Sequence, residues 1–148
     1  MPLPKINTPT FELVLPSTGK KIKYRPFLVR EEKILIMALE SEDSDQITRA
    51  VVDILNACIL TRGIKVEKLP TFDIEYLFLH IRGKSIGEEI EVNLIAPDDE
   101  ETSIPVVINV DDIKVNKPED HNKRVALDKN LMMELKYPSL DQFIKNNF

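Results

Sequence analysis

A chain of 148 residues, 43% hydrophobic and 30% charged, has the length and balance of one globular domain able to bury a core without disulfide or metal staples. Its net charge of −5, with only four glycines and no tryptophan, argues against a generic nucleic-acid binder and against a large Gly-rich ligand loop. The lone Cys58 cannot close an internal disulfide, so a reducing cytosol is the expected compartment of synthesis.

In chain order, Met1-Pro2-Leu3-Pro4 leads directly into a polar stretch, unlike a secretory signal. Thr10-Phe11-Glu12-Leu13-Val14-Leu15 and Lys21-Ile22-Lys23-Tyr24 alternate polar and apolar around Ser17-Thr18-Gly19, the pattern of a β-hairpin. Pro26, which cannot donate to a ladder, ends the second strand. Arg30 to Glu40 holds no Gly or Pro and is rich in Glu, Lys, Leu, Met and Ala. It predicts a helix nearly buried along Ile34, Leu35, Met37 and Ala38. Within it, Ile34 to Leu39 is the longest apolar run, six residues, where a membrane span needs about twenty; a soluble protein with no membrane span is expected. After the acidic loop Ser41 to Asp45, the residues Ile47, Val51, Ile54, Leu55, Cys58 and Ile59 form one apolar stripe at the helical period. Asp43 or Ser44 suits its N-cap, and Gly63 punctuates its end.

A third helix is predicted to open at Pro70-Thr71, with Thr71 as cap and Asp73 and Glu75 in its positive first turn. Ile74, Leu77, Phe78 and Ile81 form its apolar face, and Gly83 suits its C-terminus. Ile90, Val92 and Leu94, then Ile104, Val106, Ile108 and Val110, alternate on either side of Ala96 to Glu101 as a second hairpin. Lys114 to Lys123 reads as irregular, and Leu131 to Leu135 as either a helical turn or a short strand. Ser139 and Gln142 have capping-box spacing ahead of a short terminal helix with Leu140, Phe143 and Ile144. Strand and helix runs are segregated, so the expected class is α+β. Its layout is an N-terminal β-hairpin, a three-helix segment, a second antiparallel hairpin and a short C-terminal helix, in a single domain over residues 1–148.

Catalysis needs a positioned acid, base or nucleophile, and few are on offer. His80 lies beside the apolar stripe of the third helix and His121 lies in a polar loop with Asp120. Neither has a second His or Cys at ligand spacing, so a satisfied helix histidine and a solvent histidine are expected rather than zinc ligands. Cys58, on an apolar stripe, reads as a small core residue rather than a nucleophile. Asp98-Asp99-Glu100-Glu101 lacks the spaced oxygens and turn glycine of a calcium loop and reads as a charged hairpin tip. Gly83 and Gly87 flank Lys84-Ser85-Ile86, but a helix enters and a strand leaves, the reverse of a P-loop. Tyr24 and Phe27 among the N-terminal cations would suit single-strand stacking, a reading the acidic total opposes. No enzyme, cofactor, metal or nucleic-acid partner is expected, and binding other proteins is.

Charge is unevenly spread. Met1 to Lys33 carries seven basic residues against three acids, whereas Glu88 to Asp112 carries nine acids and no Lys or Arg. The preferred reading is a solvated surface in each half; the alternative is that such poles steer a partner or order subunits head to tail.

Two blocks carry a resemblance. The first runs Leu13-Val14-Leu15-Pro16-Ser17-Thr18-Gly19-Lys20-Lys21-Ile22-Lys23-Tyr24-Arg25-Pro26-Phe27-Leu28-Val29-Arg30-Glu31-Glu32-Lys33. The second runs Phe72-Asp73-Ile74-Glu75-Tyr76-Leu77-Phe78-Leu79 and continues through Arg82-Gly83-Lys84-Ser85-Ile86-Gly87-Glu88. In order and spacing, from the N-terminus to about Val115, the chain resembles baseplate hub proteins of T4-like phages. The resemblance implies a myovirus tail protein made in the host cytoplasm and located in the virion tail baseplate. It implies a structural or assembly subunit of the hub, with other hub proteins and the tape-measure protein as partners; the alternative is an assembly chaperone absent from the mature virion. Some relatives carry cysteine pairs of zinc-ribbon type where this chain reads Ala96-Pro97-Asp98-Asp99-Glu100-Glu101, so no metal is carried over. The family also looks longer than this chain, which implies either a short member or a fragment. The partner-binding residues expected on this reading are Tyr24, Arg25, Phe27 and Arg30 at the hairpin–helix junction, and Asp98, Asp99, Glu100 and Glu101 at the acidic tip, because aromatic and Arg anchors are favoured at interfaces. For Phe27, core packing is the reading preferred over an interface role.

Overall fold

A computed structural model describes residues 7–98 and 102–147. The expected α+β layout is present, with antiparallel pairing throughout its sheets. Strands β1 (Phe11–Val14) and β2 (Lys21–Tyr24) pair with Phe11 opposite Tyr24 and Leu13 opposite Ile22. Their turn closes through hydrogen bonds from Leu15 N to Lys20 O and from Gly19 N to Leu15 O, with Gly19 at φ +69°, a conformation that favours glycine. Period-2 alternation sends Ile22 and Tyr24 inward. The other edge of β2 is covered by the chain leaving the second helix: Arg25 N donates to Cys58 O and Leu60 N to Lys23 O.

Helix α1 (Val29–Glu40) packs against α2 (Ser44–Cys58). Asp43 caps α2 by accepting from the amides of Asp45 and Gln46 at 2.9 and 3.3 Å, which satisfies two of the helix's orphan donors. The predicted stripe of α2 is the centre of the core, with Ile54, Leu55 and Cys58 fully buried. Burying a side chain such as Leu55 contributes about 1.5–3 kcal/mol. The stripe of α1 differs from expectation. Ala38 is buried and Leu35 half-buried, but Ile34 and Met37 are 41% and 60% exposed. The reason is anchoring: α1 is held by the carboxylate of Glu31 and a narrow arc through Leu35 and Ala38, so most of its surface meets no other element.

Helix α3 (Thr71–Ile86) follows Pro70, and Thr71 is its first helical residue rather than its cap. Ile74, Leu77 and Ile81 complete the core with Leu15, Ile22, Tyr24 and Val66. Gly83 does not end this helix, which runs on to Ile86 and turns out at Gly87, φ +145°. A Cβ on Gly83 would stand 3.3 Å from Val110 Cγ1; glycine there permits close approach rather than a turn.

Val110 lies in the short 3-10 turn after the second hairpin, formed by β3 (Glu89–Ile95) and β4 (Ser103–Asn109) in unbroken register. Lys84 clamps the hairpin's root through Glu88 and, at 2.9 Å, Asp111. The segment left open between helical turn and strand is a strand. β6 (Leu131–Glu134) pairs with β5 (Arg124–Asp128) in a third hairpin not foreseen from the sequence, with an irregularity between Ala126 and Asp128. Helix α4 (Leu140–Asn147) is entered through the predicted capping box: Ser139 N donates to Gln142 Oε1 and Gln142 N to Ser139 Oγ. Its Leu140 packs on the core and donates its amide to Leu69 O. Among the described residues, no side chain beyond Val110 is buried.

Candidate functional site

The junction between β2 and α1 holds the chain's buried ion pair. Glu31 is 1% exposed and accepts from Arg25 Nη2 at 3.0 Å, from Arg30 Nη2 at 3.0 Å and from the Leu28 amide at 2.8 Å. The last bond is half of a capping box, the half that an apolar Leu28 cannot reciprocate through its side chain. Burial alone would raise the Glu31 carboxyl, but the hydrogen bonds from Arg25, the Leu28 amide and Arg30 outweigh it and hold the group at about 2. The Arg-Pro-Phe and Glu-Glu stretch of the first resembling block is therefore a structural lock: it fixes the angle at which α1 leaves the sheet.

That lock decides where the expected partner-binding residues lie. Tyr24 is buried in the core, its ring 5.8 Å from that of Phe11, and burial pushes its hydroxyl pKa up. Arg25 is largely covered and committed to Glu31. Phe27 is half-buried beside Phe78, ring centroids 5.9 Å apart, and its amide donates to Ser85 Oγ at 2.8 Å. Arg30 faces solvent with 74% of its side chain exposed. Asp98 is exposed at the end of the second hairpin. Asp99, Glu100 and Glu101 lie outside the described residues. The structure thus gathers Tyr24, Arg25 and Phe27 into packing and leaves Arg30 and Asp98 accessible.

The remaining polar groups serve the fold. Asp73, fully buried in the first turn of α3, accepts from both the amide and the hydroxyl of Ser17, tying the β1–β2 turn to the helix N-terminus. His80 donates Nδ1–H to Tyr76 O at 2.8 Å, and its ring lies 4.2 Å from that of Tyr76 at a tilt of 50°. Cys58 is buried, which raises its thiol to about 11 and leaves it protonated at neutral pH. His121 is exposed and lies nearly parallel to the ring of Tyr137, with its Nε2 against the Tyr137 hydroxyl.

These last two residues line a cleft of about 1050 Å³ between the β1–β2 turn and the third hairpin. Two of its cations are already engaged, Lys117 with the Pro16 carbonyl and Lys123 with Glu134. Among the described residues no group of three or more His, Cys, Asp or Glu is placed to hold a metal, and no helix is long and apolar enough to cross a membrane.

The accessible features that sequence reasoning missed are apolar. Register puts Ile90, Val92, Leu94, Ile104, Val106 and Ile108 on one face of the second hairpin, and Leu94 and Ile104 are more than half exposed. Alternation revealed that this face is apolar; nothing local to the sequence revealed that its outer half stays exposed among the described residues. The arrangement is suited to binding proteins. Comparison with curated proteins and with solved structures gives no match in either. The model of the T4 bacteriophage base plate protein family matches residues 8–148, and the chain belongs to that family.

Proposed function

We propose that the chain is a structural or assembly subunit of the baseplate hub in a contractile phage tail, working by protein–protein binding without catalysis. Family membership supports a base plate protein. The single observation that carries the binding role is surface area. The chain exposes 11541 Å², whereas a compact monomer of its 17.0 kDa mass exposes about 7,700 Å². Obligate interfaces bury about 2,000–5,000 Å² counted over both partners, about half of it on each, so the difference, about 3,800 Å², exceeds one such patch. In this reading residues 1–148 act as one unit, Arg30 and Asp98 belong to contact rims, and the partners are other hub proteins and the tape-measure protein.

Mass spectrometry of purified virions and of assembling tails from infected cells tests the proposal. Recovery in stoichiometric amount with the virion baseplate is the expected result, after assembly in the host cytoplasm. Recovery from assembling tails but not from virions would assign the role of an assembly chaperone instead. Absence from both would remove the hub reading.

A further inference from the structure

We propose that residues 113–138 form an arm that docks on the rest of the molecule as one unit, held by two latches, Tyr137 against Phe72 and Lys117 against the Pro16 carbonyl. Every residue from 111 to 138 is exposed, including all of β5 and β6. A segment with no buried or half-buried side chain has little to fix its orientation. Its two ends, by contrast, are anchored. At the first, Val110 packs against Gly83 and Asp111 accepts from Lys84 at 2.9 Å. At the second, Ser139 bridges to Pro70 and the Leu140 amide donates to Leu69 O at 3.1 Å. The hinges are the residues just inside these anchors, at Ile113 and Pro138.

Within the arm the bonds are many. β5 pairs with β6, Glu134 meets Lys123 at 2.6 Å and Arg124 at 3.6 Å, and the Leu135 amide donates to Lys123 O at 2.7 Å. The His121 ring lies 5.8 Å from that of Tyr137 and nearly parallel to it, and the His121 amide donates to Pro118 O at 3.0 Å. These bonds join residues 118–137 to one another. Across to the rest of the molecule, among the described residues, two side chains of the arm make a hydrogen bond or ring contact. Lys117 Nζ donates to Pro16 O, and the Tyr137 ring meets that of Phe72 edge-on, centroids 4.9 Å apart at 79°. Beside them lies the cleft of about 1050 Å³, with Ser17 on one wall and residues of 117–123 and 134–138 on the other. Each latch of these kinds shifts a docked–released balance by about two- to tenfold. Two of them favour the docked arm without making it permanent. The motion is a hinged rotation, in which a few terminal residues absorb the backbone change and the element stays whole.

The test places spin labels on the full chain at Thr18→Cys, in the β1–β2 turn, and Lys129→Cys, at the tip of the third hairpin. Both positions are exposed, whereas native Cys58 is buried and protonated, so the labels go to the introduced thiols. Pulsed EPR then reads the distance between turn and tip in this parent and with Tyr137→Ala, Phe72→Leu or Lys117→Gln added. One distance should dominate in the parent, and the population at other distances should rise at least about twofold in each variant. Amide exchange in β5 and β6 should match the parent, because the hairpin leaves whole. Phe72→Leu loosens a latch from the far side and leaves the His121–Tyr137 pair in place, which separates release of the arm from damage within it. Unchanged distances in all three variants overturn the latches. Faster exchange of β5 and β6 in Phe72→Leu would mean that the hairpin unravels instead of moving as a unit, and overturns the arm. A lowered melting temperature of the core in Lys117→Gln, a surface change, would make the segment part of the cooperative core and overturns it too. The hub proposal would survive any of these outcomes, since virion mass spectrometry reads it separately.

Discussion

Glu31 is the residue on which the hairpin–helix junction turns. Its carboxyl sits at about 2 rather than the ordinary 4.5, a difference worth about 3 kcal/mol of stability at neutral pH. Because the folded value lies below the unfolded one, that contribution is complete above about pH 4.5 and is lost as pH falls toward about 2. Urea unfolding followed at pH 7, 4 and 3 should show Glu31→Gln destabilised by about 3 kcal/mol at pH 7, and less pH-dependent than wild type at the acid end. Equal slopes for the two proteins would mean that Glu31 is not held ionised. Leu55, fully buried at mid-stripe on α2, is the apolar counterpart. Leu55→Ala should cost about 2–5 kcal/mol by the same measurement, and a loss below about 0.5 kcal/mol would mean that the stripe does not carry the core. The Leu55 position was legible, since helical periodicity marks a buried stripe. The Glu31 lock was not. A glutamate in the first turn of a helix reads as a dipole effect, and only folding brings Arg25 and the Leu28 amide around it.

Among the elements, α3 and the second hairpin are joined through one glycine. Gly83 reads as a helix terminator by residue type, yet it lies inside α3 because Val110 packs against its Cα. Gly83→Val should destabilise by about 1–3 kcal/mol through overpacking, and Val110→Ala in the same chain should recover part of that loss, a coupling that a double-mutant cycle in urea reads directly. Independent, additive effects would show that the contact does not hold the hairpin's root. Periodicity placed α2, the first two hairpins and the capping box of α4 with little error, since each is decided by neighbours in sequence. It left Leu131 to Leu135 undecided because five apolar or long side chains in a row satisfy both periods. Pairing with Arg124 to Asp128 settled the segment as a strand.

At the scale of the whole molecule, full burial among the described residues stops at Val110, while the chain continues for another quarter of its length. The amides of α2 and α3 should therefore exchange with solvent only through global unfolding, and those of β5 and β6 through local opening at far lower free energy. Hydrogen exchange on the isolated chain should show protection at least about a hundredfold greater in α2 than in β5 and β6. Uniform protection would mean that the third hairpin is as firmly held as the core. In the assembled baseplate, the exposed hairpins should gain protection that the isolated chain lacks.

What the sequence determined by itself was the local order: which segments up to Val110 are strands or helices, where two caps sit, that Cys58 is a core residue, and that the charge is divided into poles. Those features depend on residues a few positions apart, and side-chain period, turn chemistry and composition report them directly. The tertiary structure alone decided which apolar faces meet. The stripe of α2 is covered by the first hairpin and α3, whereas much of α1 and the outer half of the β3–β4 face, Leu94 and Ile104, are left exposed. An alternating Ile-x-Val pattern records that a face is apolar; whether another element lies over it depends on contacts between distant parts of the chain, or between chains.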